Sequence, residues 1–351
     1  MLKKHWQTIA HWVVVGVAIG YLAWLVPGLA SEASTAIGQL DHLRWGWFLV
    51  AVVCGLAPLV LYGELHRQLL RVGGSTLPFT TVQGINFVEN AVSTTVPVVG
   101  GAGAIVYAID QLRRRGIDSA LASWSVLMAG VLATLCLLVM GVLGLGLSGH
   151  VPIALAAVLA AVIILGSIGA WKVVTHPAVL RNTLHLAVML ARWIPGVCHT
   201  CRDTWTVRAD EVAQRLSTRI TLLQPSVGQW LGLTALAAST WVLDFLSLAA
   251  SVASVGAPVP WGVLLVGFLL VQGSIALQIS PGGAGLAETS LLAALVTSGV
   301  AAGPAAASVL IYRSITWLGL AMLGWIVYAF WIHTAPLHLH RHAPELSEAR
   351  S

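Results

Sequence analysis

Apolar stretches alternate along this chain with short clusters of charge. Six of them run without a Pro-Gly break near the middle: residues 11–30, 45–63, 119–147, 152–171, 228–254 and 304–332. At about 1.5 Å of rise per residue, a helix over each crosses the ~30 Å hydrocarbon core of a bilayer. Two more, 79–112 and 261–298, are broken near the middle by Pro97–Gly103 and Pro281–Gly285. Proline removes a helix hydrogen bond and glycine loosens the backbone, so each reads as helix, break, helix. The flanks of 79–112 are basic on both sides, so this stretch returns to the face it entered from. Irregular backbone at membrane depth survives only where protein or a wet cavity covers it. The pattern therefore predicts an all-α integral membrane protein with six full spans plus two re-entrant helical hairpins.

Charge orients the helices. Lys3 and Lys4 hold the N-terminus inside, and Glu64, His66, Arg67 and Arg71 mark the return of the second span. Trp12, Tyr21 and Trp24 make the first apolar stretch an uncleaved anchor rather than a signal peptide. Both termini then lie in the cytoplasm, and of the eighteen Lys and Arg only Arg44 and Arg313 fall away from the inner side. The basic stretch 175–225 includes an amphipathic helix: Val212, Leu216, Ile220 and Leu223 oppose Arg208, Arg215 and Arg219. Such a helix suits the anionic inner leaflet, or packs on the cytoplasmic helix ends.

The two broken stretches resemble each other. Pro97-Val98-Val99-Gly100-Gly101-Ala102-Gly103 returns as Pro281-Gly282-Gly283-Ala284-Gly285. A glycine follows each, at Gly116 and Gly299, and nine residues later comes Ser125-Val126-Leu127 or Ser308-Val309-Leu310. The first copy reaches its glycine through Arg113-Arg114-Arg115, the second through uncharged Thr297-Ser298. The flanks thus place the copies on opposite faces, as in inverted repeats of secondary transporters. Residues 1–150 form the first repeat and 151–335 the second, each reading span, span, hairpin, span; 336–351 is a polar tail.

Composition narrows the chemistry. With 58% hydrophobic and 9% charged residues, the chain is no soluble domain, which carries roughly 25% charge. The net charge of +5 is a topology signal and not a nucleic-acid surface. Cys198-His199-Thr200-Cys201 lacks a second half to complete a zinc set, and His338, His340 and His342 sit in the polar tail. No phosphate loop, dinucleotide fingerprint or catalytic triad occurs, and no cofactor or metal is expected.

Ionisable groups inside the spans carry the functional signal. Arg313 is placed to bind an anion, helped by backbone donors after Gly285, while Glu288 and Glu89 take a cationic group or a proton. Gly100, Gly101, Gly282 and Gly283 let backbone approach a ligand. Asn90, Gln278 and Ser280 complete the set, with Asn86, Ser93, Thr94, Thr95 and Gln272 nearby. The plain structural reading is a Glu288–Arg313 ion pair that fixes one helix against another.

At Pro281-Gly282-Gly283-Ala284-Gly285-Leu286-Ala287-Glu288, Gly299-Val300 and Leu310-Ile311-Tyr312-Arg313 the chain resembles the lysylphosphatidylglycerol synthase transmembrane-region family. That family includes the flippase half of the multiple peptide resistance factor and stand-alone membrane proteins. In the first half the match is looser: Ala104 and Ile105 stand where many members have an acidic residue, and Arg113 is distant. Glu89 and Asn90 are the substitutes that position suggests. The resemblance implies a polar-lipid translocase of the bacterial cytoplasmic membrane. Only a short tail follows residue 333, so no aminoacyl-transfer domain is expected. Two other readings remain at this stage. One is a membrane enzyme acting on a lipid phosphate, which needs several acids, a nucleophile and more than one arginine. The other is an accessory subunit of a glycosyltransferase or lipid-synthesis enzyme.

Overall fold

The computed structural model of the chain describes residues 43–96, 100–175, 225–277 and 280–332. The predicted first span, the basic stretch between 176 and 224 with Cys198 and Cys201, Pro97, Gln278 and the His-rich tail lie outside the described residues. All regular structure among the described residues is helical. Among the described residues, five helices are long and apolar enough to cross a membrane.

Helix α1 (Trp45–Val72) runs nine residues past the predicted end at 63. The reason is a buried stripe that continues through the charged flank: Leu59, Gly63, His66 and Leu70 recur at helical spacing and all face protein. Helices α2 (Phe79–Thr95) and α3 (Gly100–Arg114) pack as an antiparallel pair. At the α2–α3 bend, a Cβ on Gly100 would sit 2.8 Å from the Ser93 carbonyl, so only glycine lets the chain pass. Then come α4 (Ser119–Leu147) and α5 (Ile153–Thr175). Asp118 caps α4 through its carboxylate, which accepts from the Ala120 N–H at 3.1 Å.

After the second undescribed stretch, α6 (Val227–Ser254) opens on a capping box: the Ser226 hydroxyl and the Gln229 side chain satisfy each other's backbone N–H groups. A second antiparallel pair follows, α7 (Trp261–Leu277) and α8 (Leu286–Thr297), joined through a 3₁₀ turn at Pro281–Gly283. The last transmembrane helix is continuous but not uniform. It comprises α9 (Ala302–Arg313), a π-helical stretch Ser314–Gly319, α10 (Leu320–Val327) and a π-helical end Tyr328–Ile332.

In a bilayer, burying apolar surface drives no helix association, so close packing and hydrogen bonds must hold the bundle. The centre shows how. Helices α1 and α6 form the most extensive contact, along Ala51, Gly55, Ser247, Ala250, Ser251 and Ser254, all buried. The Ser247 hydroxyl donates to the Ala51 carbonyl at 2.8 Å, and the Arg44 N–H to Ser254 O at 2.8 Å. Around this axis α2 packs on α1 and α10, and α7 packs on α6 and α4. Helix α4 rests on α1, α3 and α6, while α9 rests on α6 and α8. Gly324 of α10 lies so close to α2 that a side chain there would meet the Phe87 carbonyl. Helix α5 touches chiefly α4 and turns Leu155, Val158, Val162 and Leu165 outward.

Candidate functional site

The arms of the two helix pairs deliver their polar residues to different places. In the second pair, Gly282, Gly283 and Gly285 all hold positive φ, at 56°, 72° and 87°. The tip needs this backbone because it reverses direction directly beneath the Trp317 indole, where any Cβ on Gly282 would collide. Ser280 closes the turn, its hydroxyl donating to Ala284 O at 2.8 Å.

Glu288 and Arg313 lock that tip. One carboxylate oxygen of Glu288 accepts from the Gly285 N–H at 2.6 Å, which caps α8, and the other accepts from Arg313 Nε at 2.6 Å. Arg313 Nη2 donates to the Gly282 carbonyl at 2.6 Å, and its guanidinium lies 4.8 Å from the Trp317 ring centroid. The side chain of Arg313 is only 3% exposed. Guanidinium geometry explains the arrangement: its planar fork meets a carboxylate and a carbonyl while its face stacks on an aromatic ring. Of the two sequence readings of this pair, the arrangement matches the helix-fixing one. Next to Arg313 in the chain, the Tyr312 hydroxyl donates to Asp244 of α6 at 3.0 Å; Asp244 also accepts from Gln272 Nε2 at 2.8 Å, tying α6, α7 and α9 together.

The first pair instead borders open space. A cavity of about 770 Å³ lies among α1, α2, α3 and α4. Its polar residues come chiefly from α2, where Asn86, Glu89, Asn90 and Ser93 follow one another at helical spacing, with Tyr62 of α1 beside them. Its apolar residues come from α3 and α4, among them Ile105, Val126, Leu127 and Val131, and Gly101 of α3 leaves room at the rim. Glu89, Asn90 and Gly101 thus share one cavity. Gly100, Gly282, Gly283, Gly285, Ser280, Glu288 and Arg313 are not among its lining residues. The sequence reading set one site between the two tips; the structure divides those residues between a locked tip and a cavity beside the first pair. The division follows from packing. The end of α2 meets the Pro281–Gly283 turn on one face, with Trp317 Nε1 donating to Thr94 O at 3.3 Å and Trp325 Nε1 to the Thr95 hydroxyl at 3.2 Å. The face carrying Glu89, Asn90 and Ser93 turns away from that contact.

Partners separate the scaffold amides from the free ones. Asn86 Nδ2 donates to Leu59 O at 2.7 Å and Gln83 Nε2 to Val60 O at 2.5 Å, so both bind α2 to α1. Among the described residues, Asn90 Nδ2 and Glu89 Oε2 are buried without a hydrogen-bond partner, as are Gln83 Oε1, the Tyr107 hydroxyl and Trp124 Nε1. Buried polar atoms in native proteins are nearly always satisfied, and of these residues only Glu89 and Asn90 line the cavity. His66 joins them: its imidazole lies 3.8 Å from Glu89, and its Nε2 is also unpartnered. Sequence reasoning took His66 for a cytoplasmic flank because Glu64, Arg67 and Arg71 surround it. The buried stripe from Leu59 to Leu70 is the signal that places it inside.

Among the described residues, no group of three His, Cys, Asp or Glu is placed to hold a metal ion. The cavity has one wall rich in polar residues and one largely apolar wall. No curated protein matches the sequence. Residues 11–324 match the family described as lysylphosphatidylglycerol synthase TM region, so the chain belongs to that family of multi-pass membrane proteins.

Proposed function

We propose that the chain is a polar-lipid translocase that takes a lipid headgroup into the α1–α4 cavity. The observation that carries this reading is the division of the cavity wall. Asn86, Glu89, Asn90 and Ser93 offer polar groups along α2, while Ile105, Val126, Leu127 and Val131 offer an apolar face on α3 and α4. A headgroup fits the first and an acyl chain the second. Membership in a lipid-associated membrane family agrees with it.

In this reading the two helix pairs are re-entrant hairpins in inverted repeats. Their arms of 17 and 15, and 17 and 12 residues reach about 18–26 Å, less than the ~30 Å hydrocarbon core. The packing favours a two-fold relation. Exchanging α1 with α6, the first pair with the second and α4 with the last helix turns the observed neighbours into one another. Each hairpin rests on its own second span and on the last span of the other half. The protein would lie in a bacterial cytoplasmic membrane with both termini inside, its 175–225 segment on anionic inner-leaflet lipid.

Transport is favoured over hydrolysis of a lipid phosphate because the described cavity lining holds one carboxylate and no lysine or arginine. A subunit that only braces a glycosyltransferase gives no reason for unpartnered Glu89 and Asn90. The test uses the full chain in vesicles carrying acyl-labelled phosphatidylglycerol, phosphatidylethanolamine or a glycolipid, with headgroup accessibility followed in time. The protein is expected to speed the movement of at least one lipid, and Asn90→Leu to slow it about ten-fold, through a lost polar contact and a filled cavity. Movement no faster than in protein-free vesicles for every lipid, or release of phosphate from the lipid, would overturn the reading.

A further inference from the structure

Glu89 and His66 face each other across the α1–α2 contact with side chains 12% and 5% exposed. Their separation of 3.8 Å is too long for a hydrogen bond, and neither Glu89 Oε2 nor His66 Nε2 has another partner. An ionised carboxylate buried without hydrogen bonds is costly enough that such a group takes up a proton or finds a cation. Among the described residues, the surroundings supply no fixed cation. Tyr62 stacks on His66 at 4.7 Å between ring centroids. Tyr62 and Tyr107 of α3 lie within electrostatic reach of Glu89, and Arg115 and Asp110 lie within reach of Tyr107. Tyr328, beyond α10, meets Tyr107 at 6.4 Å. Glu64 and Arg67 of α1 neutralise each other at 2.6 Å. Helix α4 carries no acid or base except the Cys136 thiol, and α10 and the Pro281–Gly283 turn carry none.

We propose that Glu89 and His66 together form a proton-binding site in the cavity wall, and that the bound proton is exchanged for the lipid headgroup. The exchange rests on the translocase reading above; the proton site does not. With no headgroup bound, one proton sits on the Glu89 carboxyl and His66 is neutral, with its hydrogen on Nδ1. A headgroup ammonium or hydroxyl donates to Glu89 much more strongly once that carboxyl is ionised. The Glu89 proton therefore leaves to water in the cavity that the carboxyl lines, and His66 Nδ1–H donates to the carboxylate, the gap closing by about 1 Å to hydrogen-bond distance. One proton leaves for each headgroup bound, and reprotonation of Glu89 expels the headgroup.

Two measurements on the full chain test it. Infrared difference spectra of the protein in phosphatidylglycerol–phosphatidylcholine nanodiscs, stepped from acid to alkaline pH, read the carboxyl directly. Wild type should show a protonated-carboxyl band that Glu89→Gln removes, and His66→Gln should move its titration by about one pH unit. No band dependent on Glu89, or a titration unmoved by His66→Gln, overturns the proton site whatever the protein transports. The second measurement is movement of acyl-labelled phosphatidylethanolamine and phosphatidylglycerol in proteoliposomes with and without a pH gradient. A gradient should change the rate of the transported lipid several-fold in wild type, and His66→Gln should abolish that dependence. Movement indifferent to the gradient overturns the exchange and leaves the translocase standing. A titrating Glu89 with no movement of either lipid overturns the exchange for those headgroups and counts against the translocase reading instead.

Discussion

Arg313 directs its guanidinium at three groups of its own protein: the Glu288 carboxylate, the Gly282 carbonyl and the Trp317 ring. Lysine reproduces the charge but neither the fork nor the stacking face. Arg313→Gln leaves Glu288 buried at 13% side-chain exposure without its cation, which is expected to cost roughly 3 kcal/mol. Glu288→Gln in the same chain should restore most of that loss, since no unpaired buried charge remains. Thermal unfolding of the wild type and the two variants in detergent checks this, and a double variant no more stable than Arg313→Gln alone would reject the pair as the source of the loss. At this scale the sequence was informative wherever a charge stood alone in an apolar stretch, as Glu89, Glu288 and Arg313 do. It was silent where partners lie far apart along the chain. Nothing in the local pattern joins Asp244 to Gln272 and Tyr312, and the charged neighbours of His66 conceal that it is buried.

Helices whose apolar stretch ends at a clear turn were legible almost to the residue, including α4 over Ser119–Leu147 and α6 over Val227–Ser254. The end of α1 was not, because the charged residues after Gly63 occupy only one side of a helix that stays buried on the other. Which helices cross was also hidden, since contact in a membrane is decided by small residues whose partners the sequence does not name. The α2–α10 crossing offers a test. Gly324→Ile drives a branched side chain into Phe87 O and Ala91 and should cost about 1–3 kcal/mol through overpacking. Gly166→Ile on α5, where nothing lies within 4 Å of a Cβ, should leave stability unchanged. Thermal-shift measurements on the two variants distinguish a crossing at Gly324 from a surface that merely lacks side chains; equal stability would place the crossing elsewhere.

For the whole molecule, the asymmetry of positive charge supplied the proposed topology, and the paired Pro-Gly breaks supplied the two helix pairs. The inverted arrangement is tested by cysteine labelling in intact membranes of a background without native cysteines. Gly116 and Gly299 hold positive φ, so the exposed neighbours Arg113 and Thr297 are the better positions. Arg113→Cys should react only with reagents reaching the inner face and Thr297→Cys only with those reaching the outer. Reaction of both from one side would end the inverted-repeat reading. The location of the cavity was not legible in the same way. The Pro-Gly breaks draw attention to the tips, whereas the open space arises beside α2 because α3 and α4 present small and branched apolar side chains there.

The ties at the second tip also set where the molecule can bend. Arg313 and Asp244 fasten the Pro281–Gly283 turn, α6, α7, α8 and α9 into a single stiff block. Helix α3, which closes the other side of the cavity, packs chiefly on α2 and α4 and starts with Gly100, Gly101, Ala102 and Gly103. That block lines none of the cavity, so any widening has to come from the first half. Of its walls α3 is the one expected to move, and distance measurements between labels on α2 and α3 would register the change.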